Sequence, residues 1–265
     1  MYAAIQRFRE RLDAGEVLIG SSVTFTDSSV SELLGGTFDF LWVDMEHSAL
    51  GFEAVHDHLV AARAADCPTL VRVAGGETAW VKKVIDSGAG GVLLPRAYSV
   101  DEVAQFVAAC RYPPLGSRGF GPRRAADYGR DGGPDYHQLA NDSLFVAMQV
   151  ETTEALDNLD EIAALPGLDS LAIGPYDLSG ALGRLGEMDH PEVLAELARV
   201  VAAARGAGIY CGAGSGSDVT YNRRLVEMGF QWVQAGSDYS CVLERGVQIV
   251  DELQRSSALR RGAIG

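Results

Sequence analysis

Short apolar runs recur along this chain, and longer stretches with helical spacing fall between them. The runs predict strands near Val17–Val23, Phe40–Asp44, Thr69–Val73, Gly91–Pro95, Leu144–Val150, Ser170–Gly174, Ile209–Gly212 and Trp232–Ala235. The intervening stretches carry helix signatures. Ser99-Val-Asp-Glu102 has the spacing of a capping box, and Val103, Phe106, Val107 and Cys110 follow on one face. Pro191 suits a first helical position, with Val193, Leu194, Leu197 and Val201 as the stripe and Gly206 or Gly208 closing it. Ile5, Phe8 and Leu12 predict a short amphipathic helix at the N-terminus, and another helix starts near Asp238 and runs towards Leu253.

Eight strands alternating with helices predict an α/β fold. The expected form is a single-domain (β/α)8 TIM barrel over residues 1–265, with an N-terminal capping helix and a C-terminal helix. A doubly wound open sheet is the competing arrangement. It gains no support from nucleotide motifs, because no GxGxxG follows a strand and no GxxxxGK[ST] loop occurs. One segment, Arg111 to Asp142, breaks the rhythm; connections of that length are usually functional or mobile.

Composition narrows the function. The 265 residues carry a net charge of −14, which argues against binding a nucleic-acid backbone. An anionic substrate would need a local positive group or a metal to overcome that field. No apolar run approaches the length of a membrane span. Cys67, Cys110, Cys211 and Cys241 are scattered without zinc or redox spacing, so buried free thiols in a reducing cytoplasm are expected. The only lysines are Lys82 and Lys83, adjacent in a helical stretch away from any strand end, which leaves little room for Schiff-base chemistry.

A barrel directs attention to the C-terminal ends of its strands. These hold Asp44, Glu46 and His47 after the second strand, Arg72 at the third, Gln149 and Glu151 at the fifth, and Asp177 after the sixth. Glu151 and Asp177 each stand where an apolar run gives way to polar residues. Neighbouring parallel strands lie about 4.8 Å apart, so the two acids could converge on one Mg²⁺ or Mn²⁺. The alternative is that Glu151 caps the following helix and Asp177 a turn after Gly174-Pro175. Arg72 interrupts an apolar strand, and a buried arginine needs an anionic partner. That partner is either a structural acid or a substrate carboxylate or oxyanion. His47 lies three residues after Asp44, close enough for the acid to orient a proton-transferring imidazole; an ordinary loop histidine is the other reading. His56, His58, His137 and His190 read as structural or solvated.

The blocks FDFLWVDMEHS, VRV, VIDSGAGGVLLP, RYPPLGSRGFGP, QVETTEALDNLDEI and IGPYDLSGALG, in this order, resemble the HpcH/HpaI aldolases, the metal-dependent class II pyruvate aldolases. The resemblance runs from the N-terminal helix to Gly236-Ser-Asp238. It implies a (β/α)8 barrel and a divalent ion, Mg²⁺ or Mn²⁺ with Co²⁺ a further candidate, held by Glu151 and Asp177. It implies that Arg72 binds the pyruvyl group and stabilises its enolate. It also implies that His47 moves protons, commonly through a water, with Asp44 as partner. Gln149 then lies near metal and pyruvate, and the backbone N–H groups of Tyr176 and Asp177 receive the pyruvate carboxylate. Asp86 would reach a neighbouring subunit's site in a homo-oligomer, a trimer or hexamer. Tyr176 stands where relatives often carry a smaller residue, and CGAGSGSDVTYNRR falls where they line part of the aldehyde pocket; both bear on which aldehyde is accepted.

The expected function is an aldolase that cleaves or forms 4-hydroxy-2-oxo acids from 2-oxo acid and aldehyde substrates. An oxaloacetate decarboxylase would use the same site, releasing carbon dioxide instead of aldehyde. A non-catalytic 2-oxo acid binding protein is the rival from outside the enzymes.

Overall fold

The computed structural model describes residues 2–262, with side chains through residue 255. The order begins α1 (Ala3–Asp13), β1 (Leu18–Val23), α2 (Ser29–Gly35), β2 (Phe40–Asp44), α3 (Phe52–Ala64), β3 (Thr69–Arg72), α4 (Thr78–Asp86), β4 (Gly91–Leu94) and α5 (Val100–Cys110). It continues α6 (Tyr136–Ser143), β5 (Phe145–Gln149), α7 (Thr153–Asp157), α8 (Leu159–Ala163), β6 (Ser170–Ile173) and α9 (Pro175–Ala181). Last come α10 (Pro191–Ala207), β7 (Tyr210–Ser215), α11 (Val219–Met228), β8 (Trp232–Ser237) and α12 (Asp238–Gly262). The eight strands are parallel and close in sequence order, β8 pairing back onto β1. The barrel is the predicted one, and the open sheet is excluded.

Two layers of apolar side chains follow from the period-two alternation of strands. Outward residues such as Leu41, Val43, Val71, Val92, Val146 and Leu171 pack against the helices. Inward residues include Phe40, Trp42, Phe145, Ala172 and Trp232, which fill the barrel itself. Trp232 fits because β7 faces it with Gly212; a Cβ there would lie 1.9 Å from the indole. That close approach makes Gly212-Ala-Gly-Ser215 strand, although its composition suggests a loop.

The N-terminal end of the barrel is sealed. Ile5, Phe8 and Leu12 of α1 are buried there, and the Phe8 ring meets Phe40 and Phe145 edge-on at centroid distances of 5.5 and 5.4 Å. The long connection from Arg111 to Asp142 joins the end of α5 to the start of β5, so it also lies at this closed end. Three buried arginines pin it. Arg111 donates to the carbonyls of Asn141, Leu144 and Gly167, Arg118 pairs with Asp86 at 2.6 Å, and Arg124 donates to the carbonyls of Ser87 and Leu59. These bonds make the segment part of the packing at the closed end, with Leu115, Phe120 and Tyr128 left exposed on it.

Helix ends follow the sequence closely. Ser99 accepts from the Glu102 N–H, although the Glu102 carboxylate returns to the Tyr98 N–H rather than to Ser99. Pro191 opens α10, with His190 as its cap, and Gly208 closes it at φ +72°. Three of the cysteines are buried free thiols, but Cys241 is exposed on α12, against the expectation. No helix among the described residues is long and apolar enough to cross a membrane.

Candidate active site

β2 ends in Asp44, whose Oδ1 accepts the N–H groups of Glu46 at 3.0 Å and His47 at 3.3 Å and so shapes the turn that follows. The parallel register sets Asp44 beside Arg72 at the end of β3. Arg72 Nε and Nη2 donate to Asp44 Oδ1 and Oδ2 at 2.9 and 2.6 Å, a bidentate pair. Arg72 Nη1 lies 2.9 Å from Glu46 Oε2 and donates to Gln149 Oε1 at 3.3 Å. Beneath it the Trp42 ring takes the guanidinium on its face at 5.4 Å. Burial works against this charge, but the Asp44 and Glu46 carboxylates outweigh it and hold Arg72 firmly ionised.

Gln149 closes β5, and its Nε2 donates to Glu151 Oε1 at 2.5 Å. Thr152, not Glu151, caps α7: its hydroxyl accepts from the Ala155 N–H and donates to the Ala97 carbonyl. Asp177 lies in the first turn of α9, which has no side-chain cap. Neither acid is a helix cap. They meet instead over Gly174, where a Cβ would stand 2.3 Å from Glu151 Oε1 and 3.3 Å from Asp177 Oδ2. The missing side chain is what leaves room for the two carboxylates to converge.

Glu151 is only 2% exposed. Burial, and then the neighbouring charge of Asp177, push its carboxyl up to about 8, with Arg72 pulling the other way. Two crowded carboxylates, one buried and one half-buried, suit a divalent cation with oxygen ligands, so the residues present fit Mg²⁺ or Mn²⁺. Among the described residues no three His, Cys, Asp or Glu side chains are grouped to hold an ion.

The fold brings Asp44, His47, Arg72, Gln149, Glu151, Tyr176 and Asp177 to one cavity of about 490 Å³ at the open end of the barrel. One expectation needs correction. The Asp44 carboxylate is engaged by Arg72 and by backbone N–H groups, so it does not hold the His47 ring; that ring is 64% exposed, its Nε2 3.6 Å from Glu46 Oε2. Asp86 ends α4 and pairs there with Arg118, away from its own chain's pocket, where a role could only be towards a neighbouring subunit. Neither lysine lines the cavity.

Three contributors went unassigned in the sequence: Glu46 as a second partner of Arg72, Trp42 beneath it, and Gly174 under the acids. Strand alternation carries a signal for two of them. Trp42 stands two residues before Asp44 on the inward face, and Gly174 two after Ala172.

The profile of the HpcH/HpaI aldolase/citrate lyase family matches residues 23–244. A hydroxypyruvate/pyruvate aldolase of Roseobacter denitrificans is 33% identical, over 94% of this chain and 97% of its own. A 4-hydroxy-2-oxo-heptane-1,7-dioate aldolase of Salmonella paratyphi A is 36% identical over 91% of each chain. The crystal structure of an HpcH/HpaI aldolase/citrate lyase family protein from Burkholderia cenocepacia superimposes with a TM-score of 0.87 at 34% identity, covering 96% of this chain and all of that one.

Proposed function

The chain belongs to the HpcH/HpaI aldolase/citrate lyase family, and from that premise we propose that it is a divalent-metal pyruvate aldolase acting on 4-hydroxy-2-oxo acids. One observation carries the reading: Glu151 and Asp177 converge over Gly174 in the same chamber as an ionised, buried Arg72. Glu151 and Asp177 would hold the ion, Mg²⁺, Mn²⁺ or Co²⁺, which when bound supplies Lewis-acid polarisation of the substrate ketone.

The remaining work falls to the chain's own groups. Cleavage removes the proton of the 4-hydroxyl and breaks the C3–C4 bond. The 4-carbon leaves as an aldehyde, and the bonding pair stays with C3 as the enolate of pyruvate. His47, exposed at the mouth, takes that proton, directly or through a water. Arg72 faces the developing oxyanion with its orientation fixed beforehand by Asp44, Glu46 and Gln149, the kind of preorganised charge that lowers a barrier most. Asp44 acts here through Arg72 rather than through His47. The first-turn amides of Tyr176 and Asp177, which no helical carbonyl satisfies, are placed to receive the carboxylate.

A homo-oligomer, trimer or hexamer, belongs to the same proposal. Its support is α12, which leaves Val242, Leu243, Val247, Val250 and Leu253 exposed. The cytoplasm is the proposed setting, supported by four unpaired cysteines.

The decisive experiment incubates the purified protein with a panel of 4-hydroxy-2-oxo acids and with oxaloacetate, with Mg²⁺ or Mn²⁺ and then with a chelator. Metal-dependent release of pyruvate and aldehyde is the expected result. Equal turnover with chelator would refute the metal role, and pyruvate binding without any turnover would make the protein a binding module.

A further inference from the structure

The turn after β2 holds two carboxylates whose hydrogen bonding differs. Asp44 is filled: Oδ1 takes the N–H groups of Glu46 and His47 together with Arg72 Nε, and Oδ2 takes Arg72 Nη2. Glu46 is not. Its Oε2 is buried without a hydrogen-bond partner. Arg72 Nη1 faces it at 2.9 Å as an ion-pair contact but donates to Gln149, and His47 Nε2 lies 3.6 Å away. A buried acceptor left open costs stability and calls for a reason. We propose that Glu46, and not Asp44, is the positioning residue of His47: its open oxygen receives the Nε2–H and pairs with the imidazolium formed when His47 takes the substrate's hydroxyl proton. This rests on the pyruvate-aldolase reading and supplies the carboxylate behind its proton-transfer group.

The backbone decides where the two side chains go. Asp44 Oδ1 collects both amides, the Ser48 hydroxyl donates to the Asp44 carbonyl, and the Leu50 N–H donates to Ser48 Oγ, so residues 44–50 form one tied loop. Within it the Glu46 side chain is only 14% exposed, set against Arg72, while His47 turns out to the lining of the chamber. The carboxylate is thus anchored and the exposed ring is free to turn. Closing 3.6 Å to a hydrogen bond needs only a rotation of that ring, and catalytic hydrogen bonds commonly tighten when substrate binds. With Nε2 turned to Glu46, Nδ1 is the nitrogen left for the substrate hydroxyl or for a relaying water.

One buried oxygen would then face two cations, the Arg72 guanidinium and the transient imidazolium. Burial makes each pairing stronger than the same groups would gain in water. The proton balance closes. The 4-hydroxyl gives its proton to His47, its O–H pair becomes the second bond of the aldehyde carbonyl, and the C3–C4 pair stays on C3. Glu46 holds the imidazolium while the enolate exists. C3 then takes up one proton as the methyl group of pyruvate, which discharges the imidazolium.

The test separates His47 from Arg72, the two groups that Glu46 touches. Glu46→Gln keeps the shape and one oxygen but removes the charge that an imidazolium needs. In the Mn²⁺-loaded protein it should lower kcat for cleavage of a 4-hydroxy-2-oxo acid at least about tenfold. Oxalate, a planar dianion that imitates the pyruvate enolate, reports the Arg72 side without turnover. Its affinity by calorimetric titration should stay within about threefold of wild type. In a His47→Asn background the same substitution should change kcat little, because residues acting as a unit are not additive. Oxalate affinity that falls in step with kcat, an undiminished kcat, or a full loss that persists beside His47→Asn would overturn the assignment. A wild-type protein that neither binds oxalate nor cleaves any 4-hydroxy-2-oxo acid would instead remove the aldolase reading beneath it.

Discussion

Replacing Glu151 by Gln should make the metal-free protein more stable and the metal-loaded protein less so. The raised Glu151 carboxyl means that the folded state binds a proton more tightly than the unfolded chain does. Stability is therefore greatest below the unfolded value of 4.5 and declines as pH rises, until the decline ends near 8. The climb from 4.5 to about 8 corresponds to about 5 kcal/mol at most above pH 8, and to about 3 kcal/mol at pH 7. A glutamine removes this penalty and keeps a carbonyl oxygen to accept the Gln149 bond. At roughly 2–4 °C per kcal/mol for a chain of this size, the variant should melt several degrees above wild type at pH 8.5 in chelator. At pH 5 the gap should shrink towards zero. Millimolar Mn²⁺ should reverse the order, because a ligand that binds only the native wild type raises its stability in proportion to RT ln(1 + [L]/Kd). Differential scanning fluorimetry across pH, with and without metal, reads all three outcomes. A variant melting at or below wild type in chelator at pH 8.5, or a gap that does not change with pH, would refute the crowded-carboxylate account.

Gly174→Ala places a Cβ 2.3 Å from Glu151 Oε1 and should weaken Mn²⁺ binding at least about tenfold by calorimetric titration; unchanged affinity would show that the acids do not meet there. Arg72→Lys keeps the charge but cannot make the bidentate pair with Asp44 while reaching Glu46 and Gln149, so kcat/KM for aldol cleavage should fall about 100-fold, and near-wild-type turnover would count against the fixed geometry. Metal affinity should rise with pH up to about 8, since binding displaces the Glu151 proton; pH-independent affinity between 6 and 8 would contradict this. His58 is buried with its Nδ1 on the Ser31 hydroxyl and its Nε2 on the Phe25 carbonyl, and burial lowers its pKa below 6.5. Its stabilising contribution is whole above 6.5 and is lost as pH falls below it. In an E151Q background, His58→Gln should flatten the acid side of the melting profile, and parallel profiles would exclude His58 as the source.

The strands were legible because a barrel buries both faces, which leaves unbroken apolar runs in the sequence. Phe40–Asp44 appears with its expected bounds, and Thr69, Gly91, Ser170 and Trp232 open their strands as read. β7 runs past Gly212 to Ser215 although glycine and serine signal a turn there; the close approach of Trp232, twenty residues away, is a tertiary reason for glycine at 212 that composition does not carry. The site divides in the same way. Glu151, Asp177 and Arg72 stand out as polar residues at the ends of apolar runs, a local signal. The partner of Asp44 is not local, because sequence spacing favours His47 three residues on, while the β2–β3 register delivers Arg72 to it. The convergence on Gly174 depends on β5 and β6 lying side by side, which the separate apolar runs do not reveal.

The helix sealing the barrel floor also makes the chamber a blind alley. With Phe8 wedged against Phe40 and Phe145, traffic is confined to the rim where Tyr176 and Tyr239 stand, each more than half exposed. A molecule resting on Glu151 and Arg72 then has any second molecule between itself and bulk water. A dead end of this shape imposes a queue, in which the first reactant to enter is the last product to depart.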